Sequence, residues 1–231
     1  MQHKDIWLSF LGGLLFAADI AMWNQSIKII SATVSTLLAN LAPVWVGLIS
    51  YFILRRSSGK LFWIGTGVAI AGMVVLVGLN NLLQMQLNVG IFYAIGASML
   101  YATYMLVTKD ILRRVDTIPF MFYSLMAACL FLFVLCLLLG NQLIGFNQKT
   151  WGSLISMGII CQLLGWITIN HAIGRLESTT VSITLLSQTV VACILATIIL
   201  GETLQLGEII GCLIVLGGIA ITFLKPKPVA S

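Results

Sequence analysis

Long apolar stretches separated by brief polar punctuation run along the whole chain. A membrane-crossing helix takes about 20 residues to pass about 30 Å of hydrocarbon. The stretches that meet this length are Ile6–Gln25, Ser31–Leu54, Leu61–Leu82, Val89–Thr108, Ile118–Leu139, Trp151–Ile173, Thr180–Leu200 and Leu206–Leu224. Their lengths predict helices, because barrel strands run about 10 residues with alternating polarity. The expected fold class is therefore an all-α integral membrane protein with eight transmembrane helices. The connections are too short for a soluble domain. Lys225-Pro-Lys-Pro228 is expected to end the last helix, since proline cannot continue it.

Composition agrees. Hydrophobic residues make up 60% of the chain, charged residues 8%, and the mean hydropathy is +1.08. A soluble domain carries about 25% charged residues, so most of this surface must face lipid. The net charge of +5 is then a matter of topology and not of nucleic-acid binding. With the N-terminus in the cytoplasm, Lys4, Arg55, Arg56, Lys60, Lys109, Arg113, Arg114, Arg175, Lys225 and Lys227 fall inside, and Lys28 and Lys149 outside. Cytoplasmic loops carry the excess of Lys and Arg, which predicts a multi-pass protein of the cell (inner) membrane with both termini cytoplasmic. The first apolar run is too long for a cleaved signal peptide and lacks a small-residue cleavage motif. Cys129, Cys136, Cys161, Cys193 and Cys212 lie inside apolar runs without ligand spacing and are expected as small buried hydrophobes.

One pattern recurs. Ser31-Ala-Thr-Val-Ser35 matches Ser178-Thr-Thr-Val-Ser182 at an offset of 147, and Val44, Ile53, Leu54, Gly65 and Gly72 match Val190, Ile199, Leu200, Gly211 and Gly218 at 146. A fixed offset signals internal duplication. It pairs spans one to three with six to eight, a period of five helices, so the two copies run in opposite directions. Inverted repeats mark many secondary transporters. The chain divides into a partial first repeat of three helices, residues 1–86, and a complete second repeat of five, residues 87–231. The first-repeat counterparts of spans four and five would lie about 60 residues before Met1 by the same offset. A ten-span product of about 290 residues is the expectation, and an in-frame apolar pair of spans in the upstream DNA would support it.

These features resemble the EamA-type branch of the drug/metabolite transporter superfamily. Ser31 to Val44 looks like that family's small-residue helix start followed by its helix-interior proline, Pro43. Leu200-Gly-Glu202-Thr-Leu looks like its helix-terminal motif, and Gly65 to Gly72 and Gly211 to Gly218 look like its glycine-rich closing helices. Two departures stand out: Arg55-Arg56 replaces Gly-Glu in the first copy, and Thr189 occupies the usual proline position in the second. The resemblance implies a ten-helix inverted-repeat carrier of small organic molecules, with the first two helices lacking here.

Candidate residues follow from depth. Asp19 is an acid well inside a span, where a charge costs about 2.5–3.5 kcal/mol on insertion scales. It fits a proton-coupling carboxylate, a counter-charge for a cationic substrate, or a structural acid. Trp23, one turn on, fits stacking on a substrate or an interfacial belt. Asn40, Gln162 and Gln188 lie near mid-span and with Asp19 form a candidate midplane set; each alone also fits helix–helix hydrogen bonding. His171 fits a proton relay or a structural hydrogen bond, Pro43 a hinge or a static kink. Trp166 and Tyr101 fit core packing more readily than a cavity wall. Gly65, Gly67, Gly72, Gly211, Gly217 and Gly218 are expected at close helix contacts.

No phosphate-binding Gly-x-x-x-x-Gly-Lys-Ser/Thr occurs, which argues against direct ATP drive. Intramembrane proteolysis needs paired Asp, Ser/His or a zinc motif; the chain has one mid-span Asp, and its histidines are His3 and His171. The leading expectation is a secondary transporter working by alternating access, not an enzyme, without cofactor or metal. Its partners would be the bilayer, a small-molecule substrate, a proton or other coupling ion, and a second copy in a homodimer. The competing expectation is a non-transporting membrane protein, a remnant or an assembly partner of a transporter.

Overall fold

The computed structural model describes residues 3–56, 58–78, 88–200 and 205–224. These residues form helices without strands. The elements are α1 (His3–Ile27), α2 (Ala32–Ala39), α3 (Ala42–Phe52), α4 (Lys60–Val77), α5 (Val89–Leu112), α6 (Thr117–Leu138), α7 (Gln148–Ser156), a π-helical segment (Met157–Gly165), α8 (Trp166–Arg175), α9 (Ser178–Thr184), α10 (Ser187–Leu200) and α11 (Leu206–Phe223). Grouped end to end they supply eight spans long and apolar enough to cross a membrane, matching the expected edges within a few residues. The Leu200-to-Leu204 motif beyond Leu200, the division between residues 86 and 87, and the Lys225–Pro228 tail lie outside the described residues.

Local chemistry sets the helix starts. Ser31 Oγ accepts from Val34 N at 3.3 Å, Asn88 Oδ1 from Ile91 N at 3.4 Å and Asn147 Oδ1 from Thr150 N at 2.8 Å. Each satisfies a donor that the first helical turn leaves without a partner. At Gln205 the backbone N–H reaches Glu208 Oε2 at 2.8 Å in a capping box.

Two spans are broken near the middle. The second parts at Asn40 and Leu41, where the backbone turns at ψ near 0°. Pro43 falls in the first turn of α3, where its missing N–H costs nothing. The seventh parts at Leu185 and Leu186, with Leu186 N bonding Ile183 O and Thr189 N bonding Leu186 O, both at 3.1 Å. This second break needs no proline: Thr189 stands at Pro43 plus 146, and the chain still turns one step earlier.

α1 fills a groove between α5 and α6. Its buried residues Ser9, Gly12, Gly13, Phe16 and Ala17 share one face. A β-carbon on Gly12 would come 2.9 Å from Thr108 Cγ2, and one on Gly13 would run into the Ser124 backbone. The span matched to α1 by the repeat, Gln148–Arg175, is bare by comparison. None of the described residues of α7 or the π segment is buried, and open space surrounds Gly158, the counterpart of Gly12 at 146.

A second close crossing joins α4 to α11. A β-carbon at Gly72 would sit 2.6 Å from Val215 N, and one at Gly211 2.6 Å from Leu76 N. Gly65 and Gly218 meet the same helix pair farther along. Gly67 and Gly217, also expected at contacts, face open space instead, because they fall on the outer side of each helix. The cysteines correct another expectation: Cys129 and Cys161 are exposed and the other three half-buried. Lipid is itself apolar, so a thiol facing it needs no partner.

Gly211→Leu should therefore force α4 and α11 apart and lower the thermal midpoint in detergent by about 5–10 °C. Gly217→Ala should leave it unchanged. Equal midpoints for the two variants would contradict the crossing.

Candidate functional site

The two helix breaks meet. Asn40 Nδ2 donates to Thr189 Oγ1 at 3.4 Å, joining the end of α2 to the first turn of α10. Both side chains border a cavity of about 280 Å³, whose other walls come from Thr33, Thr36, Met73 and Val77. Bilayer physics explains this placement. A break leaves backbone groups without helical partners, and irregular backbone at membrane depth is tolerated only where protein or a cavity covers it. Among the described residues, the lining carries hydroxyl and amide groups beside apolar walls and no ionisable side chain. Such a surface suits a small uncharged or amphipathic molecule, held by a few polar contacts within apolar walls.

A second polar centre lies in the core between α1, α5 and α8. Phe16, Tyr101 and Tyr104 surround Trp166, with centroid separations of 4.3, 5.9 and 5.7 Å. Tyr104 Oη donates to Asn170 Oδ1 at 2.6 Å, and Asn170 Nδ2 donates back to Trp166 O at 2.9 Å. Asp19 is half-buried and lies within electrostatic reach of Tyr101. Nearby, Trp45 Nε1 donates to Ser98 Oγ at 2.9 Å, fixing α3 against α5.

The expected midplane set is thus distributed. Asn40 lines the cavity and Pro43 is buried at the break beside it. Asp19 is half-buried on α1 within electrostatic reach of Tyr101, and Trp23 is half-buried one turn along α1. Gln162 is half-buried in the π segment, while Gln188 and His171 are exposed. Trp166 and Tyr101 pack in the core, as expected. Sequence reasoning did not single out Thr36 or Thr189 as cavity residues. The available signal was the repeat offset, which sets Thr189 opposite Pro43 and so beside the second break.

Residues 2–78 and 88–224 match the EamA-like transporter family. The chain belongs to the EamA-like transporter family. Curated relatives carry transporter names. An "Uncharacterized transporter YdfC" of Bacillus subtilis (strain 168) is 21% identical over 223 residues, covering 96% of this chain and 72% of the relative. An "Uncharacterized transporter" of Clostridium kluyveri (strain ATCC 8527) is 22% identical over 226 residues, with 96% and 73% covered. A solved crystal structure superimposes with a TM-score of 0.81 at 20% identity, covering 97% of this chain and 79% of that one. That likeness confirms the fold. This EamA-like protein is a multi-pass membrane transporter, and family and relatives speak for transport rather than catalysis.

Tyr104→Phe should cost about 1 kcal/mol, because it leaves a buried amide oxygen without its donor. Asn170→Ala should cost a similar amount, and the double variant clearly less than the sum. Strict additivity in detergent unfolding would show that the pair is not coupled.

Proposed function

We propose that this EamA-like transporter carries a small organic molecule by alternating access, binding it in the cavity where the two broken spans meet. The observation that carries the reading is the Asn40–Thr189 contact across that cavity, because it joins helix halves from matched positions of two repeat-like units. Those units correspond to residues 1–86 and 87–231, and their opposed directions give each break a partner related by a pseudo-two-fold axis in the membrane plane. Half-helix ends at the midplane are where secondary transporters place their sites. Pro43 and the turn at Leu185–Leu186 are the hinges on which the half-helices pivot.

The Lys/Arg-rich end, with Arg55, Arg56, Arg113, Arg114 and Arg175, faces the cytoplasm of a cell membrane in this reading. The cavity lies toward the opposite side, since α2 begins at Ala32 just past Lys28. The conformation described is then open outward. The cavity chemistry favours an uncharged or amphipathic substrate with hydrogen-bonding groups for Thr36, Asn40 and Thr189. Asp19, outside the lining, is assigned to coupling: it exchanges a proton while its aromatic surroundings rearrange, and it does not touch the cargo.

Purified protein screened against a panel of small metabolites should gain thermal stability with the carried compound. Asn40→Leu should weaken that ligand at least tenfold in a protein that still inserts and unfolds cooperatively. Asp19→Asn should leave ligand binding intact and reduce proton-linked flux in proteoliposomes more than tenfold. Full binding by Asn40→Leu would remove the cavity from the account, and undiminished flux in Asp19→Asn would remove the coupling role.

A further inference from the structure

At the Lys/Arg-rich end, α5 finishes in Thr108-Lys109-Asp110-Ile111-Leu112, followed by Arg113 and Arg114. Lys109 is only 3% exposed. A buried lysine is rare unless paired. Its ammonium donates to the carbonyl of Leu176, the residue that caps the C-terminus of α8. That carbonyl lies at the negative end of a helix and so favours a cation. Leu176 is also where the chain turns from the sixth span into α9, the inner half of the broken seventh.

The surrounding charges converge on the same turn. Glu177 and Asp110 attract the ammonium, and Arg113 and Arg56 oppose it. Arg113 Nη2 lies 3.9 Å from Glu177 Oε1, and Arg114 Nη2 lies 3.6 Å from Asp5 Oδ1 on the first turn of α1. One helix end thus holds the start of span one and the turn between spans six and seven. Gly174 brings α8 against that same end, since a β-carbon there would stand 2.8 Å from Leu112 O. Beside the contact lies a polar pocket of about 230 Å³ bordered by Arg56, Ser58, Lys109, Glu177 and Thr179.

The contributions are unequal. Arg113 with Glu177 is an exposed pair and contributes little, whereas Arg114 is half exposed and reaches a buried partner, Asp5. Lys109 differs. While the end is closed, its ammonium is shielded from bulk water and is held by one carbonyl and by the charges of Glu177 and Asp110. Once the end parts, water from the adjoining polar pocket solvates both charge and carbonyl. A contact whose loss hydration largely offsets leaves the closed and open arrangements near in free energy, as an alternating gate requires.

We infer that Lys109, through the Leu176 carbonyl, is the latch of the gate that closes the Lys/Arg-rich side of the transporter. It is a positioning residue and does not touch the cargo. The inference rests on the alternating-access reading and names its inner gate.

The test uses the full chain in a background with all five cysteines replaced, reconstituted in vesicles of known sidedness. Reporter cysteines replace Thr179 in the polar pocket and Thr33 in the cavity, and a membrane-impermeant maleimide is added from the side each one faces. Lys109→Met should raise the modification rate of the 179 reporter at least fivefold and lower that of the 33 reporter. Lys109→Arg should stay within twofold of the parent. Gly174→Ala reaches the same junction without touching the lysine, by wedging α8 from Leu112, and should give the same opposed shift. Unchanged rates in Lys109→Met overturn the inference, whatever Gly174→Ala does. A rise at both reporters also overturns it, because that reports a loosened fold and not a gate. No ligand is added, so an opposed shift in a protein that binds nothing from the metabolite panel would keep the latch and count only against the proposed binding at the Asn40–Thr189 cavity.

Discussion

Hydrocarbon cannot hydrogen-bond a peptide group, and that constraint shapes this bundle more than any single contact. Two spans nevertheless give up their helical ladders near the middle, at Asn40–Leu41 and at Leu185–Leu186. Neither break is placed alone: the Asn40 amide meets the Thr189 hydroxyl, and a cavity lies against both. The interruption that would be costly in lipid becomes affordable because the other interruption, with its polar side chains, covers it. Binding surface arises at the same point, since groups that satisfy a backbone can also satisfy a solute.

The remaining packing holds these breaks in register. The α4–α11 crossing brings two backbones together through Gly72 and Gly211, and its apolar core extends through Met73 and Val215 to Leu37 and Leu186 at the two breaks. On the other side, Trp166 and the rings of Phe16, Tyr101 and Tyr104 form a stiff centre around the Tyr104–Asn170 hydrogen bond. The cavity lies in the first of these clusters and Asp19 beside the second. α5 packs against α2 at the cavity and against α1 and α8 at the aromatic centre, carrying Tyr101 and Tyr104 in its middle and Lys109 at its end.

Much of the fold was legible in the sequence because lipid imposes a simple rule: a long apolar run is a span. The proline break was legible too, since Pro43 removes a donor at a known place. The break at Leu185–Leu186 was not, because nothing local forbids a helix through Thr184-Leu-Leu-Ser-Gln188. It is fixed by partners far away in sequence, Asn40 among them, and only the 146-residue offset pointed to it. The π segment around Gln162 left no mark in composition either. Depth counting put Asp19, Asn40, Gln162 and Gln188 at one level, but depth gives no angle about a helix axis. The angle is what separates the cavity-lining Asn40 from the exposed Gln188. Lys109 was read only as one of many topology-setting cations; its burial depends on where α8 ends, which a single sequence does not display.

The central claim is that the junction of the two broken spans is a water-filled binding cavity and not a sealed helix contact. The most direct measurement is the reactivity of a cysteine placed at Thr36, in an otherwise cysteine-free chain in intact membranes, toward a membrane-impermeant maleimide. The account predicts reaction from the side opposite the Lys/Arg-rich end, while a cysteine at the fully buried Val46 stays inert. Failure of the Thr36 cysteine to react from either side would contradict it.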